Sequence, residues 1–231
     1  IIKKRHSEGN QIIVIVSAMS GDTNELEKKS SLISKNFNNQ ELDVLLSSGE
    51  QVSSSLLSGA IIELGIKARS WLGWQIPIIT NNNHNSSQIM KIKTEEISKF
   101  ISKGGVAVIA GFQGVTATDR ITTLGRGGSD LSAVAIAKFF KTDSCEIYTD
   151  VEGILTTDPS INDKAKKIDK ISYEEMLEMS SLGAKVMQPN AVQAAMVEDI
   201  PINVRSTFSN NSGTKIISEN EIDNKKVVTG I

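Results

Sequence analysis

Three short segments combine glycine, hydroxyl and charged residues in spacings that suit an anion, phosphate above all. In Gly125-Arg126-Gly127-Gly128-Ser129-Asp130, three glycines permit positive φ and close backbone approach. Consecutive amides there can form an anion-binding nest. Ser129 or Asp130 can cap a following helix, whose N-terminus favours phosphate or carboxylate. Arg126 adds a planar fork for either anion, and Asp130 suits a cation or an ammonium group. Ser17-Ala18-Met19-Ser20-Gly21-Asp22-Thr23 offers small and hydroxylic residues that let a backbone approach a ligand. Thr149 and Asp150, followed by Gly153, Leu155 and Pro159, offer hydrogen bonds to a ribose or a base edge. Each segment also reads as an ordinary turn before a capped helix or at a Gly/Pro corner. Glu50, in Ser47-Ser48-Gly49-Glu50, either complements a helix dipole or receives an amino group. Lys185, in Leu182-Gly183-Ala184-Lys185, reads on its own as a solvated lysine.

Other chemistries lack their residues. There is no G-x-x-x-x-G-K-[ST] loop and no G-x-G-x-x-G fingerprint, so neither a P-loop nucleotidase nor a nicotinamide dehydrogenase finds its main support. No G-x-S-x-G elbow occurs. His6 and His84 are far apart, so no H-E-x-x-H zinc helix exists. The single cysteine, Cys145, excludes an intrachain disulfide framework and a multi-cysteine metal site.

The elements that must position these segments alternate. Residues 11–16 (QIIVIV), 106–112 (VAVIAGF) and 145–149 (CEIYT) read as strands, the first two buried on both faces. Further strands are expected at 76–80 and 202–205. A helix is expected from the capping-box spacing Asp22-Thr23-Asn24-Glu25 toward Asn36. Another is expected over 51–64, its stripe being Val52, Leu56, Leu57, Ala60, Ile61 and Leu64 and its stop Gly65. Helices are also expected at 95–102, 131–140, 172–180 and 189–198, with a long polar loop over 113–130. The alternation predicts an α/β fold, with a mostly parallel central sheet and helices on both faces. Ligands in such sheets sit beyond the carboxyl ends of the strands, where the three segments lie.

Composition agrees. With 25 basic and 27 acidic side chains the formal charge is −2, which argues against broad nucleic-acid binding. No apolar run approaches the roughly 20 residues of a membrane span. Residues 1–10 are charged and lack a signal-peptide pattern, and the single cysteine is compatible with a reducing cytoplasm, the expected location. The chain opens within an apparent helix, without Met, and closes on Val227-Val228-Thr229-Gly230-Ile231, which reads as the start of a strand.

Taken in order, VSAMSGDTNEL (16–26), SSGEQVSSSLLSGAI (47–61), WLGWQIPIIT (71–80), GGVAVIAGFQG (104–114), TTLGRGGSDLSA (122–133), YTDVEGILTTDP (148–159), SYEEMLEMSSLGAKVMQP (172–189) and PINVRSTF (201–208) closely resemble the aspartokinases of the amino-acid kinase family. The resemblance implies a three-layer αβα, carbamate kinase-like fold. It implies transfer of the γ-phosphoryl group of ATP, with Mg²⁺, to the side-chain carboxylate of L-aspartate, on the route to lysine, threonine and methionine. By the same resemblance Thr23, Glu50, Phe112, Arg126, Gly127, Gly128, Ser129 and Asp130 surround aspartate. Glu50 and Asp130 would face its ammonium and Arg126 a carboxylate. Ser17, Thr149, Asp150, Leu155 and Lys185 surround ATP, with Lys185 near the phosphates; Arg126, Asp130 and Lys185 are the expected catalytic groups. A homo-oligomer is compatible with the family; no nucleic-acid or membrane partner is expected. Nothing matches the Lys-Phe-Gly-Gly-Thr-Ser-like strand with which family members begin, and the chain stops where their ACT domains start. The expectation is therefore one kinase domain over 1–231, truncated at both ends, with about 217–231 as a linker. The alternatives are a non-catalytic nucleotide-binding remnant and a sibling kinase acting on another carboxylate.

Overall fold

The computed structural model describes residues 1–184 and 186–222. The chain divides into two units, residues 1–133 and residue 134 onward. The first unit contains α1 (Ile2–Ser7), β1 (Ile13–Val16), α2 (Asp22–Ile33), α3 (Asn39–Glu63), β2 (Ala68–Trp71), β3 (Ile78–Thr80), β4 (Ile89–Ile92), α4 (Glu95–Ile101), β5 (Val106–Ala110), β6 (Gln113–Val115) and β7 (Ile121–Thr123). It ends within α5 (Gly128–Phe140).

The apolar runs at 11–16 and 106–112 pair in parallel as β1 and β5, Val14 opposite Val108, and β2 joins the other side of β5 with Ala68 opposite Val106. All five β5 residues are buried, as a central strand covered on both faces requires. Val106 and Val108 pack with Ile61 and Leu57 of α3. The two-residue alternation sends Ala107 and Ile109 to the opposite face. That face carries Trp71, opposite Ile109 in register, whose ring meets Phe100 of α4 edge-on at 5.9 Å.

Three expectations for this unit are corrected. Residues 113–130 are not one loop: β6 and β7 form an antiparallel hairpin inside a second sheet of order β4-β3-β6-β7. Short strands of Gln, Gly and Thr carry little hydrophobic signal, and buried pairs such as Thr80–Thr122, 2.6 Å between hydroxyls, supply the cohesion. Asp22 and Glu25 form no capping box. Gly21, at φ 91°, is the N-cap, no side chain caps the helix, and Asp22 is already helical. Finally, α3 starts twelve residues earlier than expected, capped by Asn38, whose Oδ1 accepts from the Gln40 and Glu41 amides at 2.9 and 3.3 Å. Its expected apolar stripe is largely on the outside: Val52, Leu56, Ala60 and Leu64 are exposed. The buried face is Asp43, Leu46, Ser47, Gly49, Glu50, Ser54, Ser58 and Ile61. Small residues let the helix lie close to its neighbours, and Ser47 and Ser54 satisfy their hydroxyls on the Val44 and Gln51 carbonyls.

The second unit holds β8 (Cys145–Thr149), β9 (Lys170–Ser172), α6 (Tyr173–Ser181), α7 (Pro189–Glu198), β10 (Ile202–Ser206) and β11 (Thr214–Ile217). Strand order is β8-β10-β11-β9; β8/β10 and β11/β9 are parallel and β10/β11 antiparallel. Helix α6 packs against α7 and against β9 and β11. It begins with a capping box in which the Ser172 hydroxyl accepts from the Glu175 amide and Glu175 Oε2 accepts from the Ser172 amide. Ser172→Ala is expected to cost about 1 kcal/mol, which lowers the thermal midpoint by about 2–4 °C at this chain length; differential scanning calorimetry reads it. The start of a strand expected at 227–231 lies outside the described residues.

Candidate active site

Loops at the carboxyl ends of β1 and β5 in the first unit meet the middle of α3 and the start of α5. Glu50, expected near a helix start, lies deep within α3, so the dipole reading falls away. It is 3% exposed. Its Oε1 accepts from the Ala18 amide at 3.0 Å, and its Oε2 is buried with no partner. Glycine at position 49 permits this approach, because a Cβ there would lie 2.7 Å from that of Ala18. Burial pushes the Glu50 carboxyl up to about 7; the Ala18 hydrogen bond opposes the shift and nearby Asp22 adds to it.

The second approach is at Gly111, where a Cβ would stand 2.9 Å from the Val16 carbonyl and 3.1 Å from Ser129 Cα. The start of α5 is thus drawn against the end of β1. Phe112 has φ 65°, its amide donates to Ser132 Oγ at 3.0 Å, and that hydroxyl donates to the Gly128 carbonyl at 2.8 Å. The Gly125 and Gly127 backbones are left-handed, at φ 77° and 71°, as the glycine-rich turn predicted. Arg126 is exposed at its apex, and Ser129 and Asp130 occupy the first turn of α5. Burial raises the Asp130 carboxyl to about 6. Thr23 is half-buried in the first turn of α2, beside Asp22. One neighbourhood therefore unites Glu50, Phe112, Gly128 and Ser129 with the Ser17-containing loop. It presents a partnerless buried carboxylate oxygen and the amide end of a 13-residue helix, which suits a small molecule bearing both an ammonium and an anionic group.

The remaining expected nucleotide residues belong to the second unit. Thr149 ends β8, and its hydroxyl donates to Asp150 Oδ1 at 3.1 Å. Gly153 lets the chain turn over Thr214, whose hydroxyl accepts from the Ile154 amide at 2.8 Å. Leu155 bridges Lys167 in antiparallel fashion. Lys185 lies outside the described residues. The buried Asp43 and Thr123 and the half-buried His84 and Asn85, which cluster beside the glycine-rich turn, were not expected. Their only sequence signal is a charged residue inside the apolar run around Asp43.

A family model described as "Amino acid kinase family" matches residues 1–206. The chain belongs to the amino acid kinase family. Within that family it is 46% identical over 224 residues to an aspartokinase of Geobacillus stearothermophilus, covering 97% of this chain and 55% of that protein. The chain thus spans about half the length of the curated relatives it matches. The crystal structure of aspartate kinase from Synechocystis superposes with a TM-score of 0.82 at 45% identity, over 94% of this chain and 36% of that one. Aspartokinase III of E. coli, solved in complex with aspartate and ADP, superposes at 0.80 with 25% identity, over 94% and 61%. The expected α/β fold holds: five of eight strand pairings among the described residues are parallel. No helix among the described residues is long and apolar enough to cross a membrane.

Proposed function

We propose that this kinase-family chain serves an aspartate kinase, transferring the γ-phosphoryl group of ATP to the side-chain carboxylate of L-aspartate. The observation that carries the reading is the likeness to aspartokinases over nearly the whole chain. The geometry of the first unit supports it. Glu50 and Asp130 supply carboxylates for the substrate ammonium, while Arg126 and the α5 amides supply donors for its carboxylates. Thr23, Phe112, Gly127, Gly128 and Ser129 shape the same pocket. Ser17, Thr149, Asp150 and Leu155 serve the nucleotide, and Lys185 its phosphates.

An oxygen of the substrate carboxylate forms the new bond to the γ-phosphorus as the β–γ bridging oxygen leaves with ADP. The nucleophile is already ionised and needs no general base, so the absence of His and Cys from the motifs is no obstacle. The protein's part is positioning and stabilisation of charge on the transferring group. Among the described residues no group of three or more His, Cys, Asp or Glu could hold a metal. Mg²⁺ is commonly held by one or two carboxylates together with substrate phosphates, and here it would arrive with ATP and neutralise charge on the transferring group.

The test is ADP release by the purified protein with Mg²⁺ and ATP, with and without L-aspartate. Release that needs L-aspartate, and that L-glutamate and N-acetylglutamate do not elicit, is the expected result. Release that a different carboxylate elicits instead would move the chain to a sibling kinase.

A further inference from the structure

We propose that Asp43 is a positioning residue that holds the Arg126 turn in register with Glu50. The inference rests on the aspartate kinase reading and adds to it a residue remote from the substrate motifs. Asp43 is completely buried. It precedes Glu50 by seven residues on α3, about two turns and 10 Å along the same face of the helix. Its carboxylate accepts three donors: His84 Nδ1–H at 2.6 Å, the Asn85 amide at 3.0 Å and the Thr123 hydroxyl at 2.5 Å.

Each donor belongs to a segment that leads to the site. Thr123 ends β7, three residues before Arg126. Ser87 fastens the same residue, donating through both its amide and its hydroxyl to the Thr123 carbonyl at 2.9 Å. The Asn85 carbonyl backs the glycine-rich turn, since a Cβ at Gly125 would come within 3.0 Å of it. One buried carboxylate therefore ties the helix that carries Glu50 to the turn that carries Arg126.

An apolar side chain at position 43 would fill space but tolerate sliding. A buried carboxylate is costly unless its oxygens are satisfied, and hydrogen bonds weaken steeply with misalignment. The three donors thus fix one relative placement of α3, the loop after β3 and the end of β7. A zwitterionic amino acid carries its ammonium and carboxylates at set separations, so the charges that receive them must keep a set separation too.

The decisive variant is Thr123→Val, which removes the hydroxyl with little change of shape, beside Thr123→Ser, which keeps it. L-Aspartate and ADP are titrated separately into the purified protein by calorimetry. Thr123→Val is expected to weaken aspartate about tenfold or more, as displacing a substrate-binding group does, and to leave ADP affinity unchanged. Thr123→Ser should bind both like the unmodified protein. If Thr123→Val fails to fold, Asp43→Asn carries the test with the same expectation. Unchanged aspartate affinity in the folded variant, or equal weakening of both ligands, overturns the positioning role. An unmodified protein that binds ADP but no L-aspartate overturns the aspartate reading itself, and this inference with it.

Discussion

Arg126→Ala is expected to lower aspartate-dependent ADP formation by about 10²–10³-fold, the usual cost of removing a preorganised donor to developing charge. Arg126 sits at the apex of a turn whose two flanking glycines are left-handed, directly before the first turn of α5. The turn and the helix amides are backbone features and survive the substitution, so the variant should remain folded. What goes is the forked cation. Arg126→Lys is expected to recover only part of the activity, because an ammonium is a point charge without the planar fork that matches a carboxylate or phosphate. Steady-state kinetics at varied aspartate and varied ATP measure the effect. Activity within about threefold of the unmodified protein would remove Arg126 from the site.

Glu50→Gln is expected to abolish tight aspartate binding while making the protein more stable at neutral and alkaline pH. The Glu50 carboxyl is raised to about 7, first by burial. A group whose folded pKa lies above its unfolded value contributes stability that is complete below the unfolded pKa, near 4.5 here. That contribution is lost as pH rises through about 7. Across this window the loss is about 3 kcal/mol. A neutral glutamine escapes it, so denaturant midpoints of the unmodified protein and the variant should diverge between about pH 5 and 8. Function runs the opposite way. The ammonium partner requires the carboxylate ionised, so aspartate affinity of the unmodified protein should rise with pH through about 7 and level off. Calorimetric titrations from pH 6 to about 8.5 test this, and a flat affinity profile would show that Glu50 does not meet the ammonium.

Much of the fold was legible because its signals are local. Short runs of strand-forming residues located β1, β5 and β8, but only the central β5 is buried throughout; β1, expected to be buried on both faces, lies at a sheet edge and is half-buried, and β8 is mostly so. The α7 helix over 189–198 was marked by proline in its first turn. The hairpin over 113–123 was not legible, because strands of three residues rich in Gly and Thr are held by partners distant in the chain. The α3 stripe was misread for a related reason. Periodicity tells which residues share a face, not which face meets the protein, and here the small polar face does.

The site divides along the same line. Glycine spacing, an arginine and hydroxyls next to helix starts are properties of contiguous residues, so the chain itself determined the glycine-rich turn and the amino-acid kinase character. Only the tertiary structure decided that Glu50 is a buried mid-helix carboxylate with an unpartnered oxygen, and that Asp43 gathers donors up to 80 residues away. Burial and long-range hydrogen bonding depend on what the rest of the chain places around a residue, and no local pattern encodes them.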